Sequence, residues 1–286
     1  MTTPRHASEY RGEDTELVKA GCLTVAAQLG NLMEEIVIIG GYVPTLLLGI
    51  NVDGEASIER HVGTRDLDLA FSVSILDDEK YMAISEQLHQ AGFVQDVNQN
   101  SNPTPQRWTY KGLKLDFLMP PLDESDKPGS TKHLEANFGA TIIPGAELAH
   151  IDFVRVEIEG TTLDGAQTTQ QIKVCGPAAY LVLKGLAMGK RGKNKDDYDA
   201  YYIVRNHSAL HSFGKRFADF VHDRNTRAVE ALEVYRARFH APDSVGSIAV
   251  SQFVYGENNS DLLADVSAYF REFLNVVDVS LALRGR

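Results

Sequence analysis

Residues 63–69 run Gly63-Thr64-Arg65-Asp66-Leu67-Asp68-Leu69. Leucine and aspartate alternate and the pattern carries on to Phe71, the period of a β-strand. Side chains at i and i+2 share one face, so Asp66 and Asp68 point the same way while Leu67 and Leu69 point into a core. Two carboxylates held that close repel unless a positive charge lies between them. Oxygen-only ligands favour Mg²⁺ or Mn²⁺ in that place. The plain alternative is a solvated strand end on which Asp-x-Asp occurs by chance.

Upstream, Ile36-Val37-Ile38-Ile39 reads as a buried β-branched strand that runs into a tight turn at Gly40-Gly41. Two glycines let the backbone turn sharply and let a ligand approach its N–H groups. Residues 42–48 read as a short helix, whose N-terminus adds a favourable potential for phosphate. A lone Gly-Gly is more often a plain turn. Residues 51–63 are polar and without period, and read as a loop. Downstream, Lys111-Gly112 reads as a hairpin turn into the strand Leu113-Lys114-Leu115-Asp116-Phe117-Leu118, which Pro120-Pro121 closes. An acid among apolar strand residues is costly to bury unpaired. If this strand neighbours the one at 66–71, Asp116 joins the same cluster, to help hold a metal and to accept a proton from an attacking hydroxyl. Otherwise Asp116 is an acid on the solvent side of a half-buried strand.

The remaining chain divides in two. Helical spacing is expected at 15–29 and 77–91, with Asp77 or Asp78 as a cap, and weak strands at 94–97 and 107–110. Residues 123–131 are polar and flexible in composition. Two strands at 153–158 and 170–174 flank a turn, and from Gly176 the pattern is almost wholly helical, with amphipathic stretches at 216–221, 228–239 and 262–283. The expected fold is mixed α/β, of the α+β kind: a mixed-sheet core over 1–175, then a helical domain over 176–286.

The first helix of that second half inverts the local charge. From Lys184 to Lys195 the cations are Lys184, Lys190, Arg191, Lys193 and Lys195, with no acid before Asp196. Lys184 lies among Leu181, Val182, Leu183 and Leu186, so it is expected to be held in place, where a lysine suits triphosphate oxygens. A lysine-rich helix end that complements the macrodipole is the plain alternative.

The order of these parts resembles the nucleotidyltransferase superfamily with the DNA polymerase β-like fold: a Gly-Gly turn, Asp66-Leu67-Asp68, then a third acid, Asp116. The gap from Gly41 to Asp66 is longer than in compact members. Lys184, Ala187 and Arg191, followed by Lys193, Lys195, Asp196 and Asp199, are similar to the helix motif of the AbiEii/MenT-like toxins of type IV toxin–antitoxin systems. The resemblance covers roughly residues 36–203. It implies transfer of a nucleoside monophosphate from an NTP to an acceptor with release of pyrophosphate, an RNA acceptor such as a tRNA 3′ end, Mg²⁺ or Mn²⁺ as cofactor, and a cognate antitoxin. Asp66, Asp68 and Asp116 would be metal ligands and, with Lys184, the catalytic set. Gly40, Gly41, Thr64, Arg65, Lys193, Asp196 and Asp199 would be the nucleotide-binding set. Asp196 and Asp199 either steady the basic helix or contact the nucleotide. A phosphate on Thr64 would disable the site, although a turn hydroxyl is the simpler role.

Composition bounds the partners. With 28 Lys+Arg against 39 Asp+Glu the formal net charge is −11, so most of the surface does not attract nucleic acid or anionic membrane. The run 36–52 is uncharged but broken by Gly40, Gly41 and Pro44, too short for a membrane span. The first residues are polar with no apolar leader, and two cysteines, Cys22 and Cys175, form no framework, which together lead to a cytoplasmic expectation. His207, His211, His222 and His240 show no ligand spacing, and Trp108 reads as a core or loop aromatic. Transfer to a protein or small molecule, a decayed nucleotide-binding module and a metal-dependent phosphodiesterase are the competing functions.

Overall fold

The computed structural model describes residues 4–48, 60–72, 78–135 and 137–284. The chain forms two compact units: one from Gly12–Leu47 and Gly63–Gly176, the other from Met1–Arg11, Leu48–Val62 and Pro177–Arg286. The loop expected at 51–63 lies outside the described residues over 51–59, as does the candidate cap Asp77.

The first unit is a mixed sheet with helices. Its elements are α1 (Gly12–Leu29), β1 (Ile36–Ile39), a 3-10 turn (Gly40–Tyr42) leading into α2 (Val43–Leu48), β2 (Asp66–Phe71), α3 (Asp78–Gln90), β3 (Val94–Val97), β4 (Pro103–Tyr110), β5 (Leu113–Met119), β6 (Thr131–Glu135), β7 (Phe138–Ile142), α4 (Ala146–Ala149), β8 (Phe153–Thr161) and β9 (Gln167–Cys175). The strand order is β3-β4-β5-β2-β1-β9-β8, with β7 pairing β5 and β6. β1 is buried at all four residues because both of its faces are covered. β2 runs antiparallel to β1 and parallel to β5.

One face of β4, β5 and β2 is apolar. Leu67, Leu69, Trp108, Leu115 and Phe117 are each 0% exposed, which contributes about 1.5–3 kcal/mol per side chain. Phe71 stacks on Phe117 with ring centroids 5.0 Å apart, and Tyr81 of α3 meets Phe71 edge-on at 5.9 Å. Leu113 reaches Gly21 of α1 so closely that a Cβ there would sit 2.0 Å from it. This side anchors the sheet, and the alternation leaves the aspartates on the other side.

The stretch expected to be flexible at 123–131 ends in ordered structure. Lys132 Nζ bonds Asp126 at 2.8 Å and β6 begins at Thr131. Neither β6 nor β7 follows from periodicity: β6 is half-buried apart from exposed His133, and β7 carries Gly139, where a Cβ would meet the Lys132 carbonyl at 2.7 Å.

The second unit is helical: α5 (Pro177–Arg191), α6 (Asn194–Asn206), α7 (Leu210–His222), α8 (Thr226–Arg238), α9 (Val245–Tyr255) and α10 (Ser260–Arg284). Pro177 opens α5 at the position where its missing N–H costs nothing. Asn225 caps α8 by accepting from the N–H groups of Arg227 and Ala228. Gly185 lets α5 approach α8, since a Cβ there would lie 2.7 Å from Ala231 Cβ. Tyr235, Phe270 and Phe273 form an aromatic core with Phe217 and Phe239, and the Tyr235 hydroxyl donates to the Leu181 carbonyl at 2.7 Å. α9 has no amphipathic signature because both apolar residues and small Ser247 and Ser251 are buried around it. Among the described residues no helix is long and apolar enough to cross a membrane.

Candidate active site

Strand register brings the acids together. Asp68 lies opposite Asp116 across the parallel pair β2–β5, and opposite Ile39 across β1–β2. Ligand oxygens of Asp66, Asp68 and Asp116 all lie within 4.8 Å of one another. Asp116 is 8% exposed, while Asp66 and Asp68 are half-buried. A donor set of three carboxylates without sulfur or imidazole fits a hard divalent ion such as Mg²⁺ or Mn²⁺, and fits poorly the softer metals held by Cys and His.

Gly40 ends β1 beside this cluster. Its φ is +76°, and a Cβ there would stand 1.8 Å from Asp68 Oδ2. Both facts demand glycine: the backbone is left-handed, and the carboxylate fills the space. Gly41 follows within the same 3-10 turn. Gly40→Ala is therefore expected to push Asp68 out of line, at about 1–3 kcal/mol of stability. Thermal melts check this, and a wild-type Tm would remove the steric argument.

Thr64 is 4% exposed and its hydroxyl donates to Asp66 Oδ1 at 2.6 Å. The hydroxyl thus orients a carboxylate rather than serving a backbone turn. Arg65 turns away to Asp14 of α1, at 2.9 Å.

Arg107 is the cation that periodicity does not single out. Its Nε and Nη2 reach the two oxygens of Asp116 at 2.5 and 2.7 Å. These bonds hold the guanidinium above its ordinary value, with the Asp66 and Asp96 charges adding to the effect. A signal for it was present. A two-residue turn at Lys111-Gly112 sets Tyr110 opposite Leu113, and counting back places Arg107 opposite Asp116, the register observed.

In the helical unit, Lys184, Asp196 and Asp199 form a second cluster. Lys184 Nζ donates to Asp196 at 2.9 Å and to Asp199 at 2.6 Å. Arg191 bonds Asp196 through Nε and Nη2 at 2.7 and 2.8 Å, and Lys195 bonds Asp199 at 2.7 Å. Burial pushes the Lys184 ammonium down, but the two carboxylates outweigh it and hold it above its ordinary value. Burial likewise pushes both acids up, and the cations more than reverse it: Asp196 is held at about 2 and Asp199 further down. Both acids steady the basic helix. Three of the five cations are thereby paired internally, while Lys190 and Lys193 are exposed. Arg205 pairs with Asp265 at 3.1 Å.

His61 completes this cluster and had no signal, since it lies in a polar segment with no period. Its Nε2 donates to Asp199 Oδ1 at 2.9 Å, and its ring stacks on Tyr198 with centroids 5.3 Å apart. Burial pushes its pKa down to about 4, only partly offset by Asp199. The unfolded chain therefore takes up the proton first on acidification. Stability is full above the ordinary histidine value and falls as pH drops from there toward 4. Unfolding free energy should be on the order of 2 kcal/mol lower at pH 5 than at pH 7 from this group, and His61→Gln should flatten that slope. Urea titrations at the two pH values read it directly.

A family model described as nucleotidyltransferase matches residues 22–205. Among curated proteins and among solved structures, none matches the chain. The matched span contains the acid cluster, the Gly40 turn and the Lys184–Asp196–Asp199 network, and takes in more than half of the sequence: the chain belongs to the nucleotidyltransferase family.

Proposed function

We propose that the protein transfers a nucleoside monophosphate from an NTP to an RNA acceptor, with a tRNA 3′ end as the preferred class, and that it acts as the toxin of a toxin–antitoxin pair. The observation that carries the transfer chemistry is the convergence of Asp66, Asp68 and Asp116 within 4.8 Å beside the Gly40 turn. Asp66, Asp68 and Asp116 would hold the divalent ion. Bound there, such an ion supplies charge neutralisation at the α-phosphate and at the leaving pyrophosphate.

The protein's own groups do the rest. Thr64 fixes the orientation of Asp66, and Arg107 fixes that of Asp116. Asp116, so fixed, would orient the acceptor hydroxyl or take its proton. The Gly40-Gly41 turn offers backbone N–H groups to phosphate oxygens. Lys184 gives two N–H groups to Asp196 and Asp199, and the resemblance of its helix motif to the family's assigns it to nucleotide handling. Exposed Lys193 adds a contact at the start of α6. Support for the toxin role comes from the similarity of the Lys184–Asp199 motif to that of AbiEii/MenT-like enzymes.

A protein or small-molecule acceptor is the second reading. It is favoured by the internal pairing of Lys184, Arg191 and Lys195, which leaves less basic surface for RNA than the sequence suggests. Incubation with each α-labelled NTP, first with total tRNA and then with protein, separates the two. Label on tRNA ends supports the first, label on protein the second, and no label in either arm removes both macromolecular acceptors. Growth arrest on expression, relieved by a co-expressed neighbouring gene, tests the toxin role.

A further inference from the structure

Outside the acid site, β8 is an open edge of the sheet. It stands at the end of the sheet order, and among the described residues it pairs only with β9. Nine residues, Phe153-Val154-Arg155-Val156-Glu157-Ile158-Glu159-Gly160-Thr161, thus present one backbone edge without a strand beside it. Long open edges invite pairing, and proteins usually blunt them with charges of one sign, proline or a bulge. β8 has no proline and an unbroken register with β9, and its charges are of both signs.

The pattern of those charges is self-complementary. Arg155, Glu157 and Glu159 share the outer face with Phe153, while Val154, Val156 and Ile158 share the face toward α1. Phe153 and Val154 are 38% and 42% exposed, and Ile151 just before the strand is 60% exposed. A second copy laid antiparallel, with a two-fold axis through Val156, sets Arg155 opposite Glu157 of the partner subunit, twice over. The same register sets Val154 opposite Ile158 of the partner subunit, and Val156 opposite its own mate, extending the apolar face. Centring on Arg155 would oppose arginine to arginine, and centring on Glu157 would oppose glutamate to glutamate. Arg155 already bonds Glu34 through Nη1 and Nη2, both at 2.8 Å. That bond uses part of its donor inventory and holds the side chain still on the outer face.

We propose that β8 is the edge through which two copies of this chain join into a continuous sheet, paired antiparallel about Val156. The inference is independent of the reaction assigned above.

Sedimentation tests it. Wild type is expected at about twice the chain mass of 31.5 kDa. Glu157→Arg and Arg155→Glu each place like charges opposite each other, and each should raise the dimer dissociation constant by about tenfold or more. Mixed in equal amounts they restore both opposite-charge pairs, so the mixture should dimerise as wild type does. Val156→Cys, which alters no charge, should cross-link to its mate on mild oxidation, whereas the native Cys22 and Cys175 are buried. A wild type that stays monomeric at about 100 µM overturns the proposal. So does Glu157→Arg remaining fully dimeric, a mixture of the two charge variants that does not associate, or the absence of cross-linking at residue 156.

Discussion

Asp66→Ala combined with Asp68→Ala is expected to lower nucleotidyl transfer by at least about a thousandfold while leaving the fold intact. The two carboxylates supply two of the three donors in the cluster, and Asp116 alone is too few ligands to hold a divalent ion in place. Stability should hold or rise, because the native site keeps three like charges close while the Arg107 guanidinium is bonded to Asp116, and that repulsion costs free energy. The expected signature is therefore loss of transfer with an unchanged or higher Tm, and no Tm increase on adding Mg²⁺, where the proposed site predicts one for the wild type. Labelled-NTP transfer and thermal melts with and without Mg²⁺ measure both. Retention of more than about a hundredth of the wild-type rate would remove the assignment of these residues.

Asp199→Asn has the largest expected effect on folding. Asp199 is 0% exposed and accepts from Lys184, Lys195 and His61 at 2.6 to 2.9 Å. Asparagine keeps the shape and removes the charge, which leaves two buried ammonium groups short of a counter-ion. Breaking one partner of such a cluster costs about 3–5 kcal/mol, or on the order of 10 °C in Tm for a chain this size. The acid dependence has a defined sign. Asp196 and Asp199 are both held below the ordinary carboxylate value, so their stabilisation is present above about pH 4 and is lost as pH falls toward 2. The variant should lose part of that acid transition. Lys184→Met added to Asp199→Asn should recover much of the stability, since removing both charges spares the cost of an unpaired one. A single variant within about 1 kcal/mol of wild type would show the network to be dispensable.

Much of the site is written in short spacings. Period-two alternation assigns Asp66 and Asp68 to one face and Leu67 and Leu69 to the other, and the observed burial follows it. The β-branched run 36–39 and its glycines become β1 and the turn at Gly40. Pro177, whose ring suits the first turn of a helix, opens α5. β6 and β7 were not legible for the opposite reason: their exposure follows from what packs beside them, and no period of two survives in the half-buried β6 or the almost wholly buried β7.

The chain alone could place Lys184 near Asp196 and Asp199 in sequence, and could not say whether the acids bind ligand or lysine. Their pairing is a consequence of α5 and α6 folding back on each other, which buries the three charges and compels them to neutralise one another. His61 joins them across 138 positions of sequence, a contact no local pattern can encode. Asp116 likewise becomes a neighbour of Asp68 only because β2 and β5 pair in parallel. Side-chain direction along a strand is a local property of the backbone and is readable from residue order. Strand adjacency and the partner of a buried charge depend on distant segments meeting, and the tertiary structure alone decides them.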